Sequence, residues 1–210
     1  MITTGPTYEK IDPVRFIGNF SSGKMGFSIA EQLAEEGAQV TLISGPSACQ
    51  TNHPNIHRID VISAQDMYDA SFEHFPNCDG AIMTAAVADF TPLNPLNSKV
   101  KREKSNYTIE LTPTQDIAAS LGKIKSDKQF LVGFALETND EEHNAQLKLE
   151  KKNLDLIVLN SLNDSGAGFQ HDTNKITIFS RSGDIKKFEL KPKSEVAKDI
   201  VDELILNQNF

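Results

Sequence analysis

A polar, glycine-containing loop near the start of the chain has residues that could bind a charged ligand. It runs Asn19-Phe-Ser-Ser-Gly-Lys-Met-Gly26, and a helical pattern begins inside it, with apolar residues every four positions from Met25 to Leu33. We expect Ser21 or Ser22 to be the N-cap, because a serine hydroxyl can accept from the free N–H groups of a first helical turn. Such a helix N-terminus favours an anion. The loop therefore predicts a phosphate site, with a structural turn that binds nothing as the alternative.

Two familiar nucleotide-binding motifs can be tested against this loop. The dinucleotide pattern G-x-G-x-x-G is absent from it. The segment from Gly18 to Lys24 matches the P-loop pattern G-x-x-x-x-G-K, but the next residue is Met25, where a serine or threonine should reach magnesium. We therefore reject the P-loop interpretation.

A second candidate segment is Ala85-Ala-Val-Ala-Asp-Phe90, which follows a mostly apolar predicted strand over Asp79–Thr84. In open parallel sheets ligands bind beyond the carboxyl ends of the strands, so small residues and one aspartate fit the wall of a site. The alternative is a helical turn that carries Asp89 on the surface.

A third segment, Ser98–Lys104, has four cations in seven residues. Such a run is often a solvated edge strand or loop. Because it comes shortly after the candidate site wall, a mobile flap that seeks phosphate is the competing interpretation.

The periodicity of the chain predicts the elements that must position these segments. Strands are expected at Met1–Thr3, Gln39–Ile43, Ile56–Val61, Asp79–Thr84, Tyr107–Leu111, Phe130–Ala135 and Asn153–Asn160, and helices at Met25–Glu36, Ser63–His74, Ile117–Ile124, Glu141–Lys152 and Ser194–Leu206. Residues from Gly5 to Gly26 and from Ser161 to Asn174 are expected to be loops, and Lys175–Phe179 with Ile185–Leu190 a hairpin. The predicted class is α/β: a Rossmann-like three-layer fold with a mostly parallel central sheet, helices on both faces, a C-terminal β-hairpin and a basic flap. We expect a single domain over residues 1-210, with the flap at about 91-106.

Composition limits the function classes. The 210 residues have a net charge of −8, which leaves no global basic footprint for nucleic acid. Cys49 and Cys78 are too few for a disulfide framework or a zinc site. No apolar run approaches the roughly 18 to 20 residues that span a bilayer. We expect no signal peptide, no membrane association and a cytoplasmic location.

Several segments together resemble the phosphopantothenate–cysteine ligases, in that family's order and over essentially the whole chain. They are Gly5-Pro-Thr7, Asp12-Pro-Val-Arg15, Asn19 to Gly26, Ala85 to Asp89, Lys99-Val-Lys101, Val132-Gly-Phe134 and Lys152-Asn-Leu-Asp155. The resemblance implies a ligase that joins 4′-phosphopantothenate to L-cysteine in coenzyme A biosynthesis. It implies an acyl-cytidylate made from CTP, with release of pyrophosphate and then CMP. Asp12-Pro13, Lys99-x-Lys101 and the pair Lys148 and Lys152 resemble the bacterial, CTP-dependent members, whereas the animal type uses ATP.

The resemblance also implies site residues. Arg15, Asn19 and Lys99 match residues important for turnover, Lys99 being in the flap. Asn19, Ala85, Ala86 and Asp89 match contacts to phosphopantothenate or its acyl-nucleotide form. The implied nucleotide contacts are Gly5, Ser21, Gly23, Gly26, Met83, Thr84, Ala85, Asp89, Lys99, Thr112, Pro113, Thr114, Gln115, Phe134, Lys148, Lys152 and Asn160. The turn over 112–115 departs from the family, which more often has a Lys-Asn-Pro-Asp type sequence there.

Cofactors and partners are implied in the same way. We expect Mg²⁺ to be held mainly by the triphosphate, with Asp89 either a ligand or a hydrogen-bond partner of the pantothenoyl group. We expect a homodimer and a free-standing ligase that works with a separate flavin-dependent decarboxylase. The alternatives are the same reaction with ATP, a Rossmann-type nucleotide-binding regulator without ligase activity, and a subunit that needs a decarboxylase partner.

Overall fold

The computed structural model describes residues 1–102, 106–137, 140–161 and 172–206. Its strands, numbered in chain order, are β1 (Ile2–Thr4), β2 (Tyr8–Lys10), β3 (Phe16–Gly18), β4 (Val40–Ser44), β5 (Ile56–Asp60), β6 (Gly80–Met83), β7 (Phe90–Pro92), β8 (Leu111–Pro113), β9 (Phe130–Glu137), β10 (Leu156–Ser161), β11 (Thr173–Asn174), β12 (Ile176–Ser180), β13 (Ile185–Lys187) and β14 (Lys191–Pro192). Its α-helices are α1 (Lys24–Glu35), α2 (Ala64–His74), α3 (Ile117–Ile124), α4 (Glu141–Lys151) and α5 (Lys193–Leu206).

Eight strands form one central sheet in the order β13-β12-β10-β9-β6-β1-β4-β5. The six strands from β10 to β5 pair in parallel, while β12 and β13 add an antiparallel edge. Strands β6, β9 and β10 are largely apolar along their length, as expected for strands of a parallel sheet that helices cover on both faces. The α/β class and the mostly parallel sheet are confirmed, as is the C-terminal hairpin, although its second strand ends at Lys187.

Helices pack on both faces of the sheet and make the three layers. On one face α1 and α5 contact each other and bury Ile29 and Ile200 in a common core. On the other face α2, α3 and α4 contribute Met67, Leu121 and Leu149 to a second core. In α2, Ser63 and Asp66 form a reciprocal capping box, which explains why this helix begins where the sequence predicts.

The structure corrects two loop predictions. Residues between Gly5 and Gly26 contain the antiparallel hairpin β2–β3, in which the rings of Tyr8 and Phe16 stack with centroids 3.9 Å apart. The strand expected at Tyr107–Leu111 begins only at Leu111. This strand, β8, pairs with β7, part of which was expected to belong to the flap. Strands of three residues are too short for an alternating pattern to reveal them.

The expected loop from Ser161 to Asn174 lies mostly outside the described residues, and its last two residues form β11, paired with β14. Within the described ranges, none of the helices combines the length and apolar character needed to cross a membrane.

Candidate active site

The centre of the sheet has a topological switch point. Strand β1 lies between β4 and β6, and the chain builds the sheet outward on one side and then on the other. Ligands of open α/β sheets bind at the carboxyl ends of the strands at such a point. A cavity of about 490 Å³ lies there, which is within the usual size range of small-molecule sites.

Most of the residues that the sequence assigns to a site line this cavity. They are Asn19, Ser21, Gly23, Gly26, Met83, Thr84, Ala85, Ala86, Asp89, Thr114, Gln115, Phe134, Lys148, Lys152 and Asn160. Five others do not line it: Gly5, Arg15, Lys99, Thr112 and Pro113. Pro113 instead lines a neighbouring cavity, which shares Thr114 and Gln115 with the first.

The glycine loop is held in place by contacts to its backbone. The N-cap of α1 is Gly23, with φ 80°, so the prediction that Ser21 or Ser22 takes this position is wrong, although the Ser22 hydroxyl accepts a long hydrogen bond of 3.5 Å from the Lys24 N–H. The Thr4 hydroxyl donates to the Gly23 carbonyl at 2.8 Å, and the Ser47 hydroxyl donates to the Ser22 carbonyl at 2.7 Å. Gly23, Lys24 and Met25 line the cavity, so the positive end of α1 lies against it, which suits an anionic ligand.

Gly5 lies behind this loop. Gly23 approaches it so closely that a Cβ on Gly23 would lie 3.2 Å from the Gly5 nitrogen. The Gly5 carbonyl accepts from the Ala86 N–H at 2.9 Å. Gly5 therefore joins the loop to the segment after β6 and contributes to the site through packing.

The segment after β6 forms one wall of the cavity. Ala86 makes a parallel bridge with Pro6, so the alternative of a helical turn here is wrong. Asn19 Nδ2 donates to the Ala86 carbonyl at 2.8 Å and so connects the glycine loop to this wall. Asp89 is exposed and lines the cavity, while its backbone carbonyl accepts from the Thr114 N–H at 2.9 Å.

One cationic group reaches the cavity from α4. Lys148 belongs to that helix and Lys152 directly follows it. Lys152 Nζ lies 2.8 Å from Asp116 Oδ2. Partial burial would raise the pKa of Asp116, but the hydrogen bond from Lys152, the Ala119 N–H and the charges of both lysines hold that pKa below its usual value.

A second cationic group, Lys24 and Lys193, lies where α1 and α5 begin. Lys24 belongs to the predicted phosphate-binding loop, whereas the sequence analysis did not identify Lys193. Lys24 Nζ lies 2.5 Å from Asp172 Oδ1, and this hydrogen bond raises the pKa of Lys24. Lys193 is only 7% exposed. No spacing signal in the sequence connects Lys193 to the glycine loop.

Arg15 and Lys99 are near each other but outside the cavity lining. The Asp12 carboxylate is fully buried and accepts from the N–H groups of Val14, Arg15 and Val100 at 2.8, 2.9 and 3.2 Å. The Arg15 guanidinium donates to the Val100 carbonyl at 3.0 Å. Burial would raise the pKa of Asp12, but these N–H groups and the Arg15 charge hold that pKa below its usual value. Asp12 and Arg15 thus fix the backbone beside Lys99, at the base of the flap.

Two observations bear on ligands of the cavity. Asn160 Oδ1 is buried and, within the described ranges, has no hydrogen-bond partner. A buried acceptor without a partner costs about 1–3 kcal/mol, so a ligand donor would be favourable there. The described residues include no cluster of three histidine, cysteine or acidic side chains that would bind a metal by itself. A single carboxylate such as Asp89 fits Mg²⁺, which commonly takes one or two carboxylates together with substrate phosphates.

Comparison with known proteins identifies relatives along nearly the whole chain. Residues 1–207 match the family model described as the DNA/pantothenate metabolism flavoprotein C-terminal domain. A protein of an unknown prokaryotic organism named cysteine/cysteine sulfinic acid decarboxylase is 56% identical, over 97% of this chain and 57% of its own length. The coenzyme A biosynthesis bifunctional protein CoaBC of Bacillus subtilis is 46% identical, over 97% of this chain and 50% of its own length.

A solved structure agrees with these relatives. The crystal structure of the C-terminal domain of a coenzyme A biosynthesis bifunctional protein CoaBC superposes with a TM-score of 0.80 at 44% identity, covering 97% of this chain and 91% of that one. The chain therefore spans about half the length of the curated relatives it matches, and nearly all of one domain solved separately.

Proposed function

Because the chain belongs to the family of the DNA/pantothenate metabolism flavoprotein C-terminal domain, we propose that it is a phosphopantothenate–cysteine ligase of coenzyme A biosynthesis. Its substrates in this proposal are 4′-phosphopantothenate, L-cysteine and CTP. The similarity to CoaBC proteins and to the separate CoaBC C-terminal domain supports the assignment.

The observation that carries the proposal is the arrangement of cations around one cavity at the switch point. Lys148 and Lys152 reach it from α4, and Lys24 and Lys193 from the starts of α1 and α5. A carboxylate that attacks the α-phosphorus of a nucleoside triphosphate is one anion meeting another. Cations placed in advance around the reacting groups offset that repulsion and the charge that develops on the leaving group.

The proposed reaction needs no protein nucleophile. A carboxylate oxygen of phosphopantothenate bonds to the α-phosphorus of CTP while the bond from that phosphorus to the bridging oxygen breaks, and pyrophosphate leaves. The cysteine amine then bonds to the acyl carbon, loses a proton, and CMP leaves. Magnesium bound to the triphosphate would supply further charge neutralisation.

Asn19 is the neutral side chain that we assign to orienting the acyl phosphate. Its Nδ2 donates to the Ala86 carbonyl, so the amide is held between the glycine loop and the wall after β6. An amide can donate and accept without adding charge, which suits a group that must orient an anion through two steps. Asp89, on the same wall, is available to Mg²⁺ or to the pantothenoyl group.

The choice of CTP over ATP depends on the resemblance of Asp12-Pro13, Lys99-x-Lys101 and the pair Lys148 and Lys152 to bacterial members. The buried acceptor Asn160 Oδ1 is compatible with a donor on either base. Both nucleotides therefore belong in the test.

A homodimer is part of the proposal. The hairpins β2–β3 and β7–β8 contact each other through β2 and β7. They expose large apolar side chains, with Val14, Phe16 and Phe90 at 61%, 50% and 51%. A second copy of the chain is the expected cover for this surface. If analytical ultracentrifugation gives a monomer at micromolar concentration, the proposed homodimer is wrong. The proposed reaction does not depend on that result.

The name of the most identical relative reported above supplies a second candidate, decarboxylation of cysteine or cysteine sulfinic acid. This chain corresponds to 57% of that protein and to 50% of the Bacillus subtilis CoaBC protein, so coverage of the full-length relatives does not separate the candidates, but it also covers 91% of a separately solved CoaBC C-terminal domain. We therefore favour the ligase.

A product assay separates the candidates. Purified protein receives Mg²⁺, 4′-phosphopantothenate and cysteine, with CTP in one reaction and ATP in another, and a third reaction contains cysteine alone. We expect phosphopantothenoylcysteine, CMP and pyrophosphate from the CTP reaction only. Formation of phosphopantothenoylcysteine and AMP from ATP would support the ligase reaction but show that the nucleotide is ATP. Release of carbon dioxide from cysteine alone would favour the decarboxylase.

A further inference from the structure

Ala88, the residue before Asp89, has both of its backbone groups bound by threonine hydroxyls. Its N–H donates to Thr7 Oγ1 at 2.9 Å, and its carbonyl accepts from Thr114 Oγ1 at 2.6 Å. The two threonines come from different parts of the fold, because Thr7 directly precedes β2 and Thr114 directly follows β8. The backbone next to Asp89 is therefore held from two sides by side chains that are distant in the sequence.

The backbone on either side of Ala88 is held as well. The Ala86 carbonyl accepts from the Thr7 N–H at 3.3 Å, and the Asp89 carbonyl accepts from the Thr114 N–H at 2.9 Å. After Asp89 the chain enters β7, which pairs with β8. Asp89 itself is exposed and lines the cavity. An acid that faces a cavity from a backbone fixed in this way is the arrangement that a preorganised site requires.

The two threonines differ in their access to a ligand. Thr7 is fully buried and does not line the cavity, so its hydroxyl acts on the site only through the backbone that it binds. Thr114 is half-buried and lines the cavity, and the resemblance to the ligases assigned it to the nucleotide. A threonine hydroxyl has one proton to donate, and that of Thr114 goes to the Ala88 carbonyl.

We propose that Thr7 and Thr114 are positioning residues of the ligase reaction, which act through the backbone of Ala88 on the placement of the Asp89 carboxylate. The proposal rests on the proposed function, in which Asp89 meets Mg²⁺ or the pantothenoyl group. A carboxylate that is in place before the substrates arrive needs no reorganisation during the reaction. A displacement of about 1 Å in such a group can cost about 100-fold in rate.

The first test removes the Thr7 hydroxyl and keeps the shape of the side chain. Thr7→Val cannot accept from the Ala88 N–H, whereas Thr7→Ser keeps the hydroxyl. We expect Thr7→Val to lower kcat/KM about 10-fold or more, while Thr7→Ser stays close to the wild type. Ser71→Ala is the matched control, because it removes a buried hydroxyl that donates to the Met67 carbonyl within α2, and it should keep wild-type kinetics. Melting curves establish that each variant is folded at the assay temperature.

A double-mutant cycle shows whether the threonines act through Asp89. Asp89→Asn is combined with Thr7→Val and, separately, with Thr114→Val. Positioning predicts that each threonine substitution has a much smaller effect once the Asp89 carboxylate is gone. Wild-type kinetics in folded Thr7→Val, or losses that multiply fully when it is combined with Asp89→Asn, would overturn the proposal. Losses that multiply fully for Thr114→Val would make its side chain a ligand contact and overturn its positioning role.

Binding measurements separate this proposal from the proposed function. Calorimetric titrations with CTP and Mg²⁺, and with 4′-phosphopantothenate, show which ligand loses affinity in Asp89→Asn. The same ligand should lose affinity in Thr7→Val, with little further loss in the double variant. A wild-type chain that binds these ligands but makes no product would refute the ligase reaction, and the binding cycle would still decide the role of Thr7. If Asp89→Asn changes neither binding nor turnover, the positioning proposal is wrong.

Discussion

Substitution of Gly26 by alanine should damage the glycine loop although alanine is the better helix former. A Cβ at this position of α1 would overlap the hydroxyls of Thr4 and Thr84 and lie 2.5 Å from Thr4 Cβ. Thr4 holds the loop through the Gly23 carbonyl at 2.8 Å, and Thr84 donates to the Thr3 carbonyl at 2.7 Å. To make room, at least one threonine must turn away and lose its hydrogen bond.

The magnitude follows from three opposing contributions. Alanine gains about 1 kcal/mol of helix propensity over glycine. Overpacking costs about 1–3 kcal/mol, and a lost hydrogen bond costs about 1 kcal/mol more. We expect Gly26→Ala to lower the free energy of unfolding by about 1–3 kcal/mol, which is a fall in Tm of about 2–12 °C for a chain of this size. We also expect a higher KM for CTP, because the Gly23 carbonyl is no longer held.

Urea unfolding and initial-rate kinetics measure the two effects. Glu31→Ala, on the exposed side of α1, controls for a change of helix propensity without a close contact. A Gly26→Ala variant that is as stable as the wild type and has its kinetics would refute the close approach of α1 to β1 and β6 on which the site geometry depends.

Three further predictions concern other positions. Asp155→Asn should lower the free energy of unfolding, measured by urea unfolding, by about 3 kcal/mol. In the wild type Lys125 Nζ lies 2.5 Å from the Asp155 carboxylate, and the substitution leaves this buried ammonium without its ion pair. A loss below about 1 kcal/mol would contradict the prediction. Asp12 has a lowered pKa in the folded chain, so its stabilising effect is present above about pH 4 and is lost as the pH falls through the lower folded value. The Tm difference between wild type and Asp12→Asn should therefore shrink from pH 6 to pH 3, and a constant difference would argue against it. Asn19→Asp removes the donor to Ala86 and should slow conversion of the acyl-nucleotide with little change in Tm; a wild-type rate would exclude a role for Asn19 in turnover.

The parts of the fold that the sequence predicts well are those with long, regular patterns. The apolar runs of β9 and β10 and the four-residue repeat of α1 reflect burial against whole layers, so local pattern and tertiary packing agree. The wall after β6 could also be anticipated, because ligands of parallel sheets lie at strand ends.

Contacts between segments far apart in the chain could not be predicted. No sequence pattern around Arg15 indicates that its guanidinium donates to the Val100 carbonyl. The resemblance to the ligase family instead assigned Arg15 a role in turnover. The burial of Lys193 beside the glycine loop depends on how α5 packs against α1. The hairpin β2–β3 was missed because its strands have three residues each and its stability includes a ring contact between Tyr8 and Phe16.

The most direct test of the account is isotope exchange between labelled pyrophosphate and CTP, with Mg²⁺ and no cysteine. If the cavity activates the carboxylate by forming an acyl-cytidylate, label should enter CTP only when 4′-phosphopantothenate is present, and addition of cysteine should turn exchange into net product. Exchange that requires no 4′-phosphopantothenate, or none with either CTP or ATP from a folded chain, would contradict nucleotidyl transfer to the carboxylate as the chemistry of this site.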